Sequence, residues 1–325
     1  MTTLQETPTI TLRPVAGHIG ANISGVDISQ PLAPEIVQQL KDALFEYKVI
    51  FFRDQDLDHA SQIAFGKQFG QLTYAHPHDE APPDGYAEIY TVDPDRFTER
   101  YGTDFRKQIR RQYSYFNGWH TDVTAAVNPP AISILRADVV PDVGGDTQWT
   151  NLQAAYEGLS PTVQQFVDGL RAEHRYGGGR GSGGGYDSTE KLRKRIEDNL
   201  LIAIHPVVRV HPVTGDKGLF VNPGFTSHIV DVSGHESRAI LDLLYAEITR
   251  PEYTVRFRWE PGSVAVWDNR ATSHLAPRDI EHLDLKRTLH RVTVIGDVPV
   301  GPDGRESELV AGQPFTDKHV VVVED

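Results

Sequence analysis

The chain of 325 residues contains no cysteine, which excludes disulfide bonds and thiolate-ligated metal sites. Long apolar segments are also missing, since no run approaches the roughly 20 residues of a membrane-spanning helix. Residues 1–20 have no apolar segment preceded by positive charge, so they do not resemble a signal peptide. We therefore expect a cytoplasmic protein with no membrane partner.

Positive charge is scarce as well. The 32 lysines and arginines are outnumbered by 45 acidic residues, which gives a net charge of −13. Nucleic acids and anionic membranes attract basic surfaces, so neither is an expected partner. Hydrophobic residues at 39% and charged residues at 24% are typical of a soluble globular protein. The sequence does not distinguish a monomer from a homo-oligomer.

Short β-prone segments dominate the chain after Trp119. We predict strands at 119–124, 131–137, 145–150, 171–176, 205–212, 218–222, 253–259, 263–268 and 287–296, and helices at 151–158, 161–170, 188–200 and 235–249. Before Trp119 we predict strands at 9–15 and 49–52, helices at 34–48 and 58–69, turns up to Asp27 and irregular chain over 71–118. Many short strands with Gly and Pro turns favour a sandwich or jelly roll over a parallel α/β sheet.

A His-x-Asp pair lies in the β-prone segment 119–124. Alternate side chains of a strand share a face, so His120 and Asp122 are predicted to lie side by side. They would supply two ligands of the 2-His-1-carboxylate triad that binds Fe(II), and we place the third at His274, after the apolar strand that ends near Asp268. The alternative is a surface strand with two polar residues, which chance alone produces in a chain with 14 histidines.

The predicted strand 287–296 carries two arginines, Arg287 and Arg291, on one face. If that face points into a barrel, each buried guanidinium needs an anion, one from a co-substrate and one from a substrate. In the alternative, the arginines face water on an edge strand, and Val292 and Val294 form a small core face with His290. The residues alone do not decide between the two.

Four ordered motifs resemble the taurine/α-ketoglutarate dioxygenase (TauD/TfdA) family of Fe(II)/2-oxoglutarate-dependent dioxygenases. They are the segments 119–122, 144–147 and 267–274 and the pair Arg287 and Arg291, at spacings that fit the family's pattern. Further likeness lies in the segments 20–27, 205–209 and 218–222. The resemblance covers most of residues 9–298.

This resemblance implies a set of metal and co-substrate ligands. His120, Asp122 and His274 look like the ligands of Fe(II). Thr147 and Arg287 resemble the pair that holds the distal carboxylate of 2-oxoglutarate. An enzyme of this kind uses O2 and 2-oxoglutarate to hydroxylate its substrate and releases succinate and CO2.

The resemblance also implies contacts to the primary substrate. Arg291, His76 and the backbone N–H of Val123 correspond to groups that bind its anionic end. Taurine-specific members carry an aromatic hydroxyl shortly after the His-Pro pair, whereas this chain has His78-Asp79-Glu80. Taurine is therefore disfavoured, and alkyl sulfates, other sulfonates and carboxylates remain as candidate small anionic organic substrates.

The implied fold is a double-stranded β-helix, a cupin-like jelly roll that is mainly β with flanking helices. We expect a single catalytic domain over residues 1–325, with its core at 9–298 and a polar surface tail at 299–325. Segments 71–118 and 176–187 are candidate lid loops, because one is long for a connection and the other is rich in glycine. The basic residues Arg106, Lys107, Arg110 and Arg111 are expected to attract anions to the site.

A second class of protein stays open on the residues. A metal-binding cupin-type jelly roll that is not an oxygenase, such as an isomerase, a hydrolase or a sensor, would also need His120, Asp122 and His274. It would not need Thr147 with Arg287 at fitting spacing. The presence of that pair favours the dioxygenase.

Overall fold

The computed structural model describes residues 9–76, 82–93, 118–176, 197–277, 279–280, 282–283 and 285–316 and positions 95, 99, 190 and 194. Its strands are β1 Thr11–Pro14, β2 Ala21–Ser24, β3 Val49–Phe52, β4 Tyr90–Val92, β5 Ile132–Val139, β6 Thr147–Asn151, β7 Arg171–Arg175, β8 Ile202–Pro206, β9 Val208–Val210, β10 Lys217–Leu219, β11 Thr226–Ile229, β12 Thr254–Phe257, β13 Val264–Asp268, β14 Thr272–Leu275, β15 Thr288–Val294 and β16 Glu308–Ala311.

Five α-helices flank these strands in the described part of the chain. They are α1 Pro34–Tyr47, α2 His59–Lys67, α3 Leu152–Gly158, α4 Pro161–Val167 and α5 Gly234–Ile248, and a 3-10 turn covers Pro251–Tyr253. Asp58 caps the start of α2, because its side chain accepts a hydrogen bond from the Ser61 N–H. No helix in these described ranges is long and apolar enough to cross a membrane.

The largest sheet has seven strands in the order β1-β2-β3-β13-β5-β15-β4. Its central strand β13 is buried at all five positions, as its apolar sequence requires. On one face, Val266, Val292 and other apolar side chains pack beneath α1 and α2. On the other face, Trp149 of β6 and Trp267 of β13 belong to a second apolar cluster.

Smaller sheets complete a chain that is mainly β with flanking helices, as predicted. One has the order β12-β6-β14, another the order β11-β7-β8-β16, and β9 pairs with β10. Strand β6 therefore carries Thr147 in the same sheet as β14, the strand that contains His274. The sheets bring these two distant parts of the sequence together.

Several predicted elements differ from the structure. Residues 122–125 form a turn, so the predicted strand 119–124 is wrong, and only an isolated bridge at His120 remains. Strand β2 replaces the turns predicted before Asp27, and β4 lies within the segment predicted to be irregular. The predicted surface tail contains β16, which pairs with β8. These local patterns were too short or too polar to predict strands without their pairing partners.

Much of both candidate lid loops lies outside the described residues. This applies to 77–81, to most of 94–117 and to 177–187, and therefore to Arg106, Lys107, Arg110 and Arg111. Most of the predicted helix 188–200 also lies outside them.

Candidate active site

The two histidines of the predicted metal site are neighbours across an antiparallel bridge. The His120 N–H donates to the His274 carbonyl at 2.9 Å, and the His274 N–H donates to the His120 carbonyl at 2.7 Å. Directly opposed residues of such a pair project to the same face. Their ring centroids accordingly lie 4.1 Å apart.

Asp122 is fixed by a chain of buried polar side chains. The Ser133 hydroxyl, at the start of β5, donates to Asp122 Oδ2 at 2.6 Å. Asn269 donates to that same hydroxyl at 2.8 Å, and the Trp267 indole N–H donates to Asn269 Oδ1 at 2.9 Å. The carboxylate is thereby held from β5 and from the end of β13, although no strand carries it.

The electrostatics keep Asp122 ionised. Burial alone would raise the pKa of the carboxyl group, but the adjacent Arg291 guanidinium, helped by the hydrogen bond from Ser133, outweighs it and lowers the pKa to about 2. Burial lowers the pKa of His274 well below its usual value, so its ring is neutral. A carboxylate and neutral imidazoles are the protonation states that bind a metal ion.

His120, Asp122 and His274 form a cluster that fits a metal ion. One ligand atom from each lies within 4.8 Å of the others, and Nε2 of His274 is 3.9 Å from Asp122 Oδ1. His120 Nδ1 lies 2.8 Å from the Gly118 carbonyl, a contact that requires the ring proton on Nδ1 and makes Nε2 the nitrogen that would ligate a metal. Among the described residues, this is the one group of three such side chains with that geometry. Two histidines and one carboxylate suit Fe(II).

Thr147 and Arg287 also meet, as the resemblance implied. Arg287 Nη2 donates to the Thr147 hydroxyl at 3.2 Å, and Arg287 Nε donates to the Gly145 carbonyl at 2.7 Å. The Trp259 indole N–H donates to the same hydroxyl at 2.9 Å. Both bonds end on the Thr147 oxygen, so the hydroxyl proton is available to a further acceptor. Burial lowers the pKa of Arg287 to about 10, which still leaves it charged at neutral pH.

Arg291 lies on the face of β15 that points away from α1 and α2, as does Leu289. It is 8% exposed, and its Nη1 donates to Asp122 Oδ1. Its Nε is buried and has no hydrogen-bond partner among the described atoms. Val292 and Val294 pack on the opposite face, beneath α1 and α2. Strand β15 therefore combines both predicted arrangements, an arginine that points inward and a core face formed by valines.

His76 and Arg291 meet at one aromatic ring. The Arg291 guanidinium lies 5.1 Å from the centroid of Tyr90, and the His76 ring stacks on Tyr90 with centroids 4.8 Å apart. Tyr176 is 6.3 Å from His76 and 6.0 Å from Phe225 by ring centroids. Together the rings form an apolar surface beside the arginine.

Val123 is buried and has a φ of 45°, a left-handed conformation that β-branched residues rarely adopt. It follows Asp122 directly, so its backbone N–H is part of the same turn. Ser133, Asn269, Tyr90 and Trp259 also belong to the site, although no pattern in the sequence predicted them. Asn269 lies within the family motif 267–274, whereas the other three become recognisable only from their contacts.

Comparison with known proteins shows the family of this chain. A family profile described as "Taurine catabolism dioxygenase TauD, TfdA family" matches residues 11–293. An alkylsulfatase of Acinetobacter baylyi is 38% identical over 94% of this chain and 91% of its own. An alpha-ketoglutarate-dependent sulfate ester dioxygenase of Pseudomonas putida is 38% identical over 91% of this chain and 93% of its own. A crystal structure of a taurine dioxygenase from Burkholderia xenovorans is 46% identical, with a TM-score of 0.80 over 94% of this chain and 96% of that one.

Fold, site and relatives define the class, a 2-oxoglutarate-dependent non-haem iron dioxygenase whose cofactor is Fe(II) and whose co-substrate is 2-oxoglutarate. Within that class, the chain belongs to the TauD/TfdA family. Membership confirms the resemblance in the sequence and the expected oxidoreductase activity. It gives no support to the alternative of a cupin that is not an oxygenase.

Proposed function

We propose that this enzyme hydroxylates a small anionic organic substrate whose charged end binds Arg291. The observation that carries the proposal is the position of this arginine, buried beside Asp122 with Nε still without a partner among the described atoms. Arg287 is engaged separately, by Thr147 and Gly145. A co-substrate with one distal carboxylate occupies only one of the two guanidiniums. Arg291 already has Asp122 beside it, so its unpartnered Nε is the donor that we assign to the anionic group of the substrate. The alternative is that Arg291 pairs with a protein carboxylate and only stabilises the barrel, and the substrate panel distinguishes the two.

Each site residue then has a distinct role. His120, Asp122 and His274 hold Fe(II), and bound Fe(II) with 2-oxoglutarate and O2 supplies the oxidising chemistry. Arg287 and the Thr147 hydroxyl bind the distal carboxylate of 2-oxoglutarate. Their donors are already oriented by protein partners, so little reorganisation is needed on binding.

Arg291, His76 and the Val123 N–H bind the anionic group of the primary substrate. The rings of Tyr90, Tyr176 and Phe225 offer an apolar surface to its carbon chain and exclude water from it. The guanidinium of Arg291 is suited to a group with several oxygens, such as a sulfate, sulfonate or carboxylate.

An alkyl sulfate ester is the substrate we favour within this class, because two relatives at 38% identity are named for sulfate esters or alkyl sulfates. Hydroxylation of the carbon that bears the ester oxygen gives an unstable product. Its C–O bond to sulfate breaks with loss of the hydroxyl proton and leaves an aldehyde. One oxygen atom of O2 ends in the aldehyde and the other in succinate, with release of CO2.

Further parts of the proposal concern the whole chain. We propose a double-stranded β-helix, a cupin-like jelly roll, that forms a single catalytic domain with its core at 9–298. Segments 71–118 and 176–187 are proposed lids, since His76 and Tyr176 border the site and lie at or near the start of these segments. A cytoplasmic location stays a prediction, and the choice between a monomer and a homo-oligomer stays open.

A matched substrate panel tests the proposal. Hexyl sulfate, hexanesulfonate, hexanoate and hexanol are each incubated with Fe(II), 2-oxoglutarate and O2, and succinate is measured. We expect the anions to release succinate above the substrate-free rate, with hexyl sulfate fastest and sulfate formed in equal amount. Equal turnover of hexanol would contradict recognition by Arg291.

A further inference from the structure

The segments 205–209 and 218–222 resemble the family but contain none of the residues in the proposed chemistry. The structure places His205, at the end of β8, and Asn222, shortly after β10, against the turn that follows Asp122. Both side chains are buried. Buried polar groups of this kind need a hydrogen-bonding role.

His205 binds the backbone of this turn. Its Nε2 lies 2.8 Å from the Thr124 carbonyl and 3.1 Å from the Ala126 carbonyl, and carbonyl oxygens only accept. Nε2 therefore carries the ring proton. Burial lowers the pKa of His205 to about 3, so the ring stays neutral and the tautomer is fixed.

Asn222 and His174 bind the side chain of Thr124, in the same turn. Asn222 Nδ2 donates to the Thr124 hydroxyl at 3.1 Å, and His174 Nδ1 lies 2.9 Å from it. The other nitrogen of His174 lies 3.2 Å from the Thr226 hydroxyl, which itself accepts from the Asn222 N–H at 2.9 Å. The ring of contacts is closed, so a change in one member is felt by the others.

The loop 222–226 also packs on the metal site directly. The Gly224 N–H donates to the Trp119 carbonyl at 3.1 Å. A Cβ at Gly224 would lie 2.6 Å from Cβ of His120, so a side chain cannot be accommodated there without movement. The network therefore contacts the chain both before Asp122, at 119–120, and after it, at 124–126.

Val123 lies between these anchor points in its left-handed conformation. The turn is closed by the Ala126 N–H, which donates to the Val123 carbonyl at 3.1 Å. A valine with φ of 45° persists only where its surroundings impose that geometry. The side chains that bind Thr124 and Ala126 impose the geometry of this turn on Val123.

We propose that His205, Asn222 and Thr124 are positioning residues that hold the Val123 N–H toward the anionic group of the substrate. This inference rests on the proposed function, in which that N–H is a substrate contact. The network binds the protein's own backbone and touches neither substrate nor cofactor. Its loss should therefore weaken substrate recognition more than binding of Fe(II) or 2-oxoglutarate.

Thr124→Val and Thr124→Ser form the matched pair that tests the proposal. Valine keeps the shape and removes the hydroxyl, whereas serine keeps the hydroxyl. Anaerobic titration with hexyl sulfate, in the presence of Fe(II) and 2-oxoglutarate, gives the Kd without turnover. We expect the Kd and the KM to rise about tenfold for Thr124→Val and to stay within about twofold for Thr124→Ser, and the affinities for Fe(II) and 2-oxoglutarate to stay within about twofold in both.

Thr249→Val is the control, because it removes a threonine hydroxyl that bonds the Tyr245 carbonyl in the last turn of α5. It should keep the wild-type Kd. A wild-type Kd in Thr124→Val, or an equal loss of Fe(II) and 2-oxoglutarate binding, would overturn the inference. A crystal structure of Thr124→Val tests it without any substrate: Val123 should leave the left-handed region, and an unchanged φ would count against the inference. If wild-type enzyme released no succinate with any anion, the proposed function would fail instead.

Discussion

Arg287 and Arg291 are four positions apart, yet their surroundings differ. Arg287 donates to Gly145 and Thr147, and Thr147 is in turn bonded by Trp259, so the pocket for the distal carboxylate is organised by the protein itself. Among the described residues, Arg291 has one acceptor, Asp122, and its guanidinium otherwise lies beside the ring of Tyr90. In the proposed function, Arg287 therefore binds a constant co-substrate in a pocket organised by protein partners, and Arg291 binds the substrate with fewer partners to restrict it.

The metal cluster is common to both ends, so its loss should have the largest effect. In Asp122→Ala two neutral imidazoles remain without an anionic ligand, and activity should fall more than about 100-fold with weaker Fe(II) binding. Ser133→Ala removes only the hydrogen bond to Asp122 Oδ2 and should cost about 10- to 100-fold. Succinate release and Fe(II) titration measure both. Wild-type Fe(II) affinity in Asp122→Ala would remove Asp122 from the ligand set.

Arg287→Ala should weaken the binding of 2-oxoglutarate and leave the binding of the primary substrate unchanged. Removing one partner of a buried charge pair costs about 2–5 kcal/mol, which corresponds to at least about 30-fold in affinity for 2-oxoglutarate. Thr147→Val removes a neutral donor and should cost only about 0.5–1.5 kcal/mol. Titration with 2-oxoglutarate at saturating substrate distinguishes the two variants. An unchanged 2-oxoglutarate requirement in Arg287→Ala would contradict the assignment.

Arg291→Ala should affect the substrate end. Loss of a charged donor costs about 1.5–3 kcal/mol, so the KM for hexyl sulfate should rise about 10- to 100-fold while the KM for 2-oxoglutarate changes little. Arg291→Lys should rescue poorly, because an ammonium cannot copy the planar fork of the guanidinium. Initial rates across the substrate panel measure the effect. A retained preference for anions over hexanol in Arg291→Ala would show that another group selects the charge.

The prediction with the smallest expected effect on activity is a change of stability with pH, and it concerns the buried histidines His205 and His174 behind the site. Burial lowers the pKa of His205 to about 3 and that of His174 well below its usual value. Below pH 6.5 the unfolded chain takes up these protons and the folded protein does not, so stability falls with decreasing pH. Each such histidine contributes up to about 1.4 kcal/mol per pH unit between its unfolded and folded pKa.

Urea unfolding at pH 7 and pH 5 measures this loss. In His205→Gln the difference between the two pH values should be smaller than in the wild type, because one titrating group is gone. Asp122 does not contribute in this interval, since its stabilisation is lost only as pH falls from its ordinary pKa toward about 2. An equal pH dependence in both proteins would mean that His205 is not the buried neutral group described here.

The apolar segments of the sequence predicted strands and helices, and the order of its motifs predicted the site residues. A continuous apolar segment such as 264–267 predicts a buried strand, because a strand that is buried on both faces is apolar at successive positions, and β13 contains that segment. Helices α1 and α2 followed from the periodicity of their apolar residues. The motifs that resemble the TauD/TfdA family are also visible in the sequence alone, and they predicted His120, Asp122, His274, Thr147 and Arg287 as site residues.

The order of residues along the chain is therefore enough to predict the class of chemistry and a mainly β architecture. How those residues meet depends on the packing of the folded protein. Asp122 lies in a turn and not on a strand, and β14 was not predicted, because four residues between turns carry too little pattern to show which strand they pair with. The contacts among His205, Thr124 and Asn222 span about 80 to 100 positions of sequence. Such contacts depend on long-range packing, which no local periodicity records.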